Sequence, residues 1–574
     1  MINLKNVNKI IEQRNYKKLY FLVFLLILQS IIETLSIGMI YPLLNFFANN
    51  QTSEIQFNIQ SYFDLNLNHS QVATTIVSVF LAFFVLKFFF QVFIEWTNAT
   101  YFNNLKVFIS EKILKKHFSF KNLSNSSIKS TTEFSNLAVF ESERYAQKYI
   151  GGFVNIISES LTIIFISFML FLFSTKYSIF ILLFYSSVVF LIFFLIKNYL
   201  KKISFKRLLH HEVIMKLSKE SFDGFKEILI YSAKNKLIQN FKKNSVKLGN
   251  IIRNESVISN LPRFGIELLT ITIFSIVIFY VFNFSEISFE EVAPTLGLFA
   301  LAALRIYPGV TRILANLQSI KASIATENRI INYLNEKDLK IDSLKYDEKN
   351  LIKKLSFEKK IELKNLSYKI EGIDIFKNLN FTFNKNDFIG IYGKSGSGKT
   401  TLLNLLMGFT EPTEGKIFID DEELNSKNFN SWIKNLGYVG QNSFLLNDTI
   451  ENNIALSSDD VDEMKINKSI SQAQLTNFFR GNINLKSFLT EHASNISGGE
   501  KQRFSIARAI YKDVDILFFD EPTSALDEKT SENFINVINS FHKLKTIFIV
   551  SHRIENLKKC DKILYLDNMT FTDK

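Results

Sequence analysis

The sequence predicts two domains of different class: an all-α domain of six membrane-crossing helices, then an α/β domain built around a phosphate-binding loop. Three observations carry this. Long apolar runs with hardly a charge fill the first half of the chain, whereas the last 220 or so residues have a water-compatible composition. A glycine-rich run, Gly393-Lys394-Ser395-Gly396-Ser397-Gly398-Lys399-Thr400-Thr401, follows the strand-like Asp387 to Tyr392 and leads into a helical pattern of Leu402, Leu403, Leu405 and Leu406. A buried-strand pattern from Asp513 to Phe519 ends in two acids, Asp520 and Glu521.

Crossing a bilayer takes about 20 apolar residues. Six runs qualify: 19–46, 72–96, 150–174, 177–198, 262–284 and 292–315. Their flanks orient them. Lys5, Lys9, Arg14, Lys17 and Lys18 precede the first run, and the long loops 97–149 and 199–261 are rich in Lys and Arg. The opposite loops, 49–71 and 285–291, contain neither residue. Basic loops stay cytoplasmic, so the N-terminus, both long loops and the C-terminal domain are expected on that side. The net charge of +12 then follows from topology, with no nucleic-acid partner implied. The first run is too long for a cleaved signal peptide and lacks a small-x-small exit site. Cys560 is the single cysteine, which excludes an intrachain disulfide or a thiolate metal cluster. The expected division is a membrane domain over 1–334, a charged linker over 335–358 and a soluble domain over 359–574.

The glycine-rich run matches G-x-x-x-x-G-K-[ST], in which successive backbone N–H groups cradle phosphate oxygens at a helix start. Lys399 is expected to reach the β- and γ-phosphates of a nucleotide, and Thr400 to place its hydroxyl on Mg²⁺. At the end of the second strand Asp520 suits the same cation, and Glu521 suits a base that orients or deprotonates attacking water. Solvated acids at a strand end are common, but a phosphate loop about 120 residues upstream gives these two a partner. Between the motifs Ser497-Gly498-Gly499 opens a helix and offers a hydroxyl, bare amides and a positive dipole end to a phosphate. A plain turn and N-cap would look the same.

Taken together, these motifs resemble those of the ATP-binding-cassette (ABC) transporter family across the whole soluble domain, an α/β P-loop NTPase fold. Gly393 to Thr400 match its Walker A loop, and Phe518 to Glu521 its Walker B strand and catalytic glutamate. Ile496 to Glu500 match its signature, and Ser524 to Asp527 its D-loop. Gln441 matches the Q-loop residue that senses Mg²⁺, His552 the switch histidine, and Tyr368, 25 residues before Gly393, the aromatic that stacks on adenine. The signature departs from the usual Leu-Ser-Gly-Gly-Gln at Ile496 and Glu500, and the latter adds a carboxylate near the nucleotide. In this family the signature of one cassette completes the Walker A site of another, so a single intact cassette per chain implies a homodimer. A membrane domain ahead of the cassette on one chain is the layout of ABC exporters, and Glu220 to Ile228 resemble their second coupling segment.

Charges inside the spans bear on the substrate, because ionisable residues there usually face a cavity or a partner. Lys87, Arg263, Arg305 and Arg312 fall in spans or at their cytoplasmic ends. Arg305 and Arg312 share a helix face, and a guanidinium-lined cavity suits a phosphate or pyrophosphate. Glu33 and Glu159 also lie mid-span, so internal ion pairing is an alternative, as is snorkelling to the interface. Ile32 to Ile37 with Pro42, and Pro294 to Gly297 running into Ala302 to Pro308, resemble bacterial lipid-linked oligosaccharide flippases. That resemblance implies a bacterial inner-membrane protein moving a polyprenyl-pyrophosphate glycan outward. An exporter of drugs, lipids or peptides and an ATP-gated channel or regulator are the rival readings. Intact Glu521 and His552 argue against the last, and the six spans exclude a soluble cassette acting on ribosomes.

Overall fold

The computed structural model describes residues 10, 13–41, 69–119, 131–173, 206–207, 209–210, 213–284, 289–336, 353–370, 372–441, 443–456, 461–479, 483–489, 496–523 and 528–573. The chain divides into two compact units, Met1–His117 with Ser127–Glu336, and Lys337–Lys574 with the short segment Phe118–Ser126.

The first unit is helical. Its main elements are α1 (Gln13–Gly38), α2 (His69–Phe118), α3 (Thr131–Ser135), α4 (Gly151–Phe173), α5 (Phe225–Ile230), α6 (Lys234–Phe284) and α7 (Phe289–Asn335). Four stretches of described helix are long and apolar enough to cross a membrane: Asn15–Gly38, Ala73–Phe118, Glu133–Leu172 and Gly297–Asn335. They overlap the predicted runs 19–46, 72–96, 150–174 and 292–315. The run 262–284 lies within α6, and the run 177–198 and most of the linker fall outside the described residues. The basic loops expected to be cytoplasmic prove largely helical, since α2 runs on to Phe118 and α6 begins at Lys234. Ahead of α4 the backbone widens into two π-helical turns, Asn136–Glu141 and Tyr145–Ile150. Ile166, Leu170, Leu298 and Ala302 bury a small apolar core between α4 and α7. In the expected coupling segment the helix breaks at Gly224 before α5, leaving Phe222 86% and Phe225 63% exposed.

The second unit is built on two sheets. Strands β1 (Lys360–Ile370), β2 (Ile373–Asn384), β4 (Glu414–Ile419) and β5 (Glu422–Glu423) form an antiparallel sheet in the order β2-β1-β4-β5. Strands β3 (Phe388–Tyr392), β6 (Leu436–Val439), β7 (Ile516–Asp520), β8 (Thr546–Ser551), β9 (Lys562–Tyr565) and β10 (Thr570–Asp573) form the other, ordered β10-β9-β3-β8-β7-β6. All of its pairings are parallel except β9 with β10.

A parallel sheet is covered on both faces, which is why its strands read as continuous apolar runs. Ile516 and Phe518 of β7 enter a core shared with the helix α8 (Lys399–Leu406) and the antiparallel sheet. Leu517 and Phe519 enter the opposite core with the helix α9 (Gly498–Lys512). Strand alternation thereby fixes β3, β7 and β8 side by side with their C-terminal ends at one edge, where open α/β sheets place their ligand sites.

Candidate nucleotide site

The phosphate loop spans the turn from β3 to α8. Gly398, the residue capping α8, has φ +93°, and a Cβ there would lie 2.8 Å from both Ile375 and Phe376. Only glycine meets both demands without strain. Gly396 also has positive φ, +83°, and a Cβ there would meet nothing within 4 Å, so that side of the loop is open. Lys399 is 5% exposed and donates from Nζ to the carbonyl oxygens of Gly393 (2.9 Å) and Lys394 (2.8 Å). Burial lowers its pKa against the opposing pull of Glu521, Asp567 and Asp520. The Ser397 hydroxyl is buried in the loop with no hydrogen-bond partner. An unpartnered donor beside a ring of loop amides is what a phosphate oxygen would satisfy, so these residues fit a nucleotide.

The neighbouring strand ends complete the cluster. Thr400 Oγ1 donates to Asp520 Oδ2 at 3.1 Å, setting two hard oxygens face to face, a donor set that fits Mg²⁺. Burial raises the Asp520 carboxyl above its ordinary value. Glu521 leaves β7 with φ +50°, an uncommon conformation for a non-glycine residue, and its N–H donates to the Val550 carbonyl at 3.2 Å. That turn brings its carboxylate onto His552 Nε2 and within 3.9 Å of Lys399 Nζ. Lys399 Nζ lies 3.3 Å from His552 Nδ1, so the tautomer protonated at Nε2 satisfies both contacts. Three residues from distant parts of the sequence thus meet at one point.

Other expected site residues lie further out. Tyr368, half-buried on β1, pairs in register with Phe376, whose ring borders Gly398. Gln441 follows β6 and is exposed. Lys394 and Ser395 are exposed on the loop, and Thr401 is half-buried in the first turn of α8. Ser497 caps α9 in a capping box: its hydroxyl donates to Glu500 Oε2 at 2.7 Å, and its N–H to the same oxygen at 2.8 Å. Gly498 is exposed and Gly499 buried behind it. Asp527 lies outside the described residues. Asp567 escaped the sequence reading; it accepts the Lys394 N–H at 3.3 Å from the turn after β9, and no local motif marks it.

In the membrane unit the structure reassigns one expected substrate residue. Arg305 donates through Nε to Glu33 Oε2 at 2.8 Å and through one terminal nitrogen to Glu159 Oε2 at 3.0 Å, with the other terminal nitrogen also on Glu33. It takes the internal-pairing alternative, because two buried carboxylates on α1 and α4 need a cation between them. Arg312 Nε reaches Glu159 Oε1 at 2.9 Å, but its side chain is 52% exposed. Lys87 Nζ donates to Ser36 Oγ at 2.7 Å. Arg263 lies on α6, and its side chain is outside the described part.

A phosphate loop, a strand-end acid pair and a histidine gathered at the C-terminal edge of a parallel sheet define a nucleotide-binding ATPase domain. Residues 376–524 match the ABC transporter family. The ATPase domain is thus that of the ABC transporter family, and the helical unit fused ahead of it gives the chain the fold of an ABC exporter. It is similar to the ATP-dependent lipid A-core flippase of Wigglesworthia glossinidia brevipalpis, 26% identical over 94% of this chain and 89% of that protein. A lipid A-core flippase of Syntrophus aciditrophicus is 29% identical, the match covering 61% of this chain but only 57% of that protein. The fold also matches the structure of a bacterial Atm1-family ABC exporter with ATP bound, with a TM-score of 0.74 and 18% identity over 96% of this chain and 93% of that one.

Proposed function

We propose that this chain uses ATP to move a lipid-linked anionic glycan, of the polyprenyl-pyrophosphate type, from the cytoplasmic to the outer leaflet of a bacterial inner membrane. The observation that carries this is the charge left over in the membrane unit. Arg305 and Arg312 pair with Glu33 and Glu159, and Lys87 on Ser36 beside them leaves this cluster of described residues one positive charge in excess. Arg305 is consumed by the two carboxylates, so Lys87 and the exposed end of Arg312 are the groups that would hold a pyrophosphate; Arg263 is a further candidate. The flippase names of two relatives support a lipid substrate. The basic flanks of the spans support a cytoplasmic N-terminus and cassette. The proposed division is a membrane domain over 1–334, a linker over 335–358 and the cassette over 359–574.

In the cassette, Gly393 to Thr401 would wrap the phosphates, with Lys399 turning from the loop carbonyls to the γ-phosphate and Tyr368 stacking on the base. Thr400, Asp520 and Gln441 would hold Mg²⁺, which supplies charge neutralisation along the phosphates. Glu521, aimed by His552, would take the proton of the attacking water. Ser497, Gly498, Gly499 and Asp527 would serve the site of a second copy, making the working unit a homodimer.

The test is ATP-dependent movement of a fluorescent polyprenyl-pyrophosphate oligosaccharide between the leaflets of proteoliposomes, with Glu521→Gln as the inactive control. Wild-type movement that falls in Lys87→Ala and Arg312→Ala supports the reading. Steady ATP hydrolysis with no movement of several such glycans would overturn it in favour of drugs, peptides or other lipids.

A further inference from the structure

Tyr438 sits on β6, three residues before Gln441. Strands β6 and β7 run parallel with Tyr438 opposite Phe518, so alternation sets Tyr438, Phe518 and Asp520 on one sheet face. Leu436 and Ile516 share that face and enter the core beneath α8, whereas Val439 and Phe519 enter the other core. Strand spacing and rise put Asp520 about 8 Å diagonally from Tyr438 between backbones, within reach of a tyrosine side chain.

Gly440 reveals which way the ring leans. A Cβ at Gly440 would lie 3.0 Å from both the Tyr438 hydroxyl oxygen and its Cε1 atom. The ring therefore lies forward along the strand, over a position that has no side chain. Its hydroxyl is thereby carried along the strand toward the end of β7, to the side of the Asp520 carboxylate. The same carboxylate accepts Thr400 Oγ1 at 3.1 Å. One carboxylate thus has two hydroxyls beside it, Thr400 on the phosphate-loop helix and Tyr438 on β6.

We propose that Tyr438 is a positioning residue of the nucleotide site: its hydroxyl fixes the rotation of the Asp520 carboxylate against Thr400 and so sets the affinity of that oxygen pair for a divalent cation. Gly440 is part of the device, because any side chain there would push the ring aside. The proposal rests on the reading of Asp520 and Thr400 as Mg²⁺ ligands. Groups that orient a metal ligand typically change metal affinity by about 10- to 100-fold when removed.

The experiment titrates Mg²⁺ into full-length protein holding trinitrophenyl-ATP and follows nucleotide fluorescence, with affinity in EDTA measured alongside. Tyr438→Phe is expected to raise the Mg²⁺ concentration at half-effect about tenfold, with nucleotide affinity in EDTA unchanged. Gly440→Ala should shift the titration in the same direction, and adding it to Tyr438→Phe should cause no further shift. A Tyr438→Phe titration that overlays wild type overturns the proposal, as does an equal loss of affinity in EDTA, which marks a merely structural ring. Absence of any Mg²⁺ effect in wild type would instead overturn the cation-ligand reading of Asp520 together with it.

Discussion

Arg305 shows how a single side chain can change meaning between sequence and structure. In the sequence it is one of four cations in apolar spans, suited to a phosphate. In the structure its guanidinium lies between Glu33 and Glu159, whose side chains are only 10% and 12% exposed. Removing one partner of a buried ion pair leaves an uncompensated charge, at a cost of about 3–5 kcal/mol. Arg305→Ala should therefore lower the thermal unfolding temperature of the detergent-purified protein sharply. Arg312→Ala, which removes a half-exposed group, should shift it by no more than about 1 kcal/mol of stability would. The reverse order would mean that Arg312 is the structural tie and Arg305 the free cation. Neither outcome is readable from spacing, because Glu33 lies 272 residues from Arg305.

At the scale of elements, the antiparallel sheet of the cassette is pinned by Asp420 at the end of β4. Asp420 has φ +52°, and its carboxylate accepts three consecutive N–H groups: Glu358 at 2.7 Å, and Lys359 and Lys360 at 2.8 Å each. These donors belong to the approach to β1, so one side chain fixes where that strand starts against β4. Burial alone would raise the Asp420 pKa, but the three donors outweigh it and hold the carboxyl below its ordinary value. A depressed folded-state pKa contributes stability that is full above the unfolded value of about 4 and is lost as pH falls through the folded value. Wild-type cassette stability should therefore drop below about pH 4, and Asp420→Asn should remove part of that slope and lower the melting temperature at pH 7 by about 3 °C. Fluorescence of the buried Trp432, in a Trp96→Phe background, reads the cassette alone. A wild-type slope retained in Asp420→Asn would shift the effect to Asp561, also held low by backbone and histidine donors that outweigh its burial. The residue that locks the register of β1 against β4 sits in a turn, about 60 residues from its partners, where no local pattern marks it.

For the whole molecule, the proposed assembly of two copies makes a sharp prediction. If each site needs groups from both chains and the two sites turn over together, activity tracks the fraction of fully wild-type pairs. Co-reconstituting wild type with Glu521→Gln subunits, allowed to exchange, should lower transport as the square of the wild-type fraction, to about a quarter at an equal mixture. A linear fall to one half would mean that each chain works alone or that the sites fire independently.

Sequence by itself determined the order of domains, the membrane character of the first and the phosphate loop of the second. Each of these is written in a short window: some 20 apolar residues, or nine residues between a strand and a helix. It also named Lys399, Thr400, Asp520, Glu521 and His552, because a nucleotide site demands those residue types in a fixed order. Tertiary structure decided which charges neutralise each other, that Asp567 and Tyr438 border the site, and that Glu521 meets His552 through a left-handed turn. Those contacts join residues far apart in the chain, set by strand register and helix packing, and neither is encoded in any single stretch.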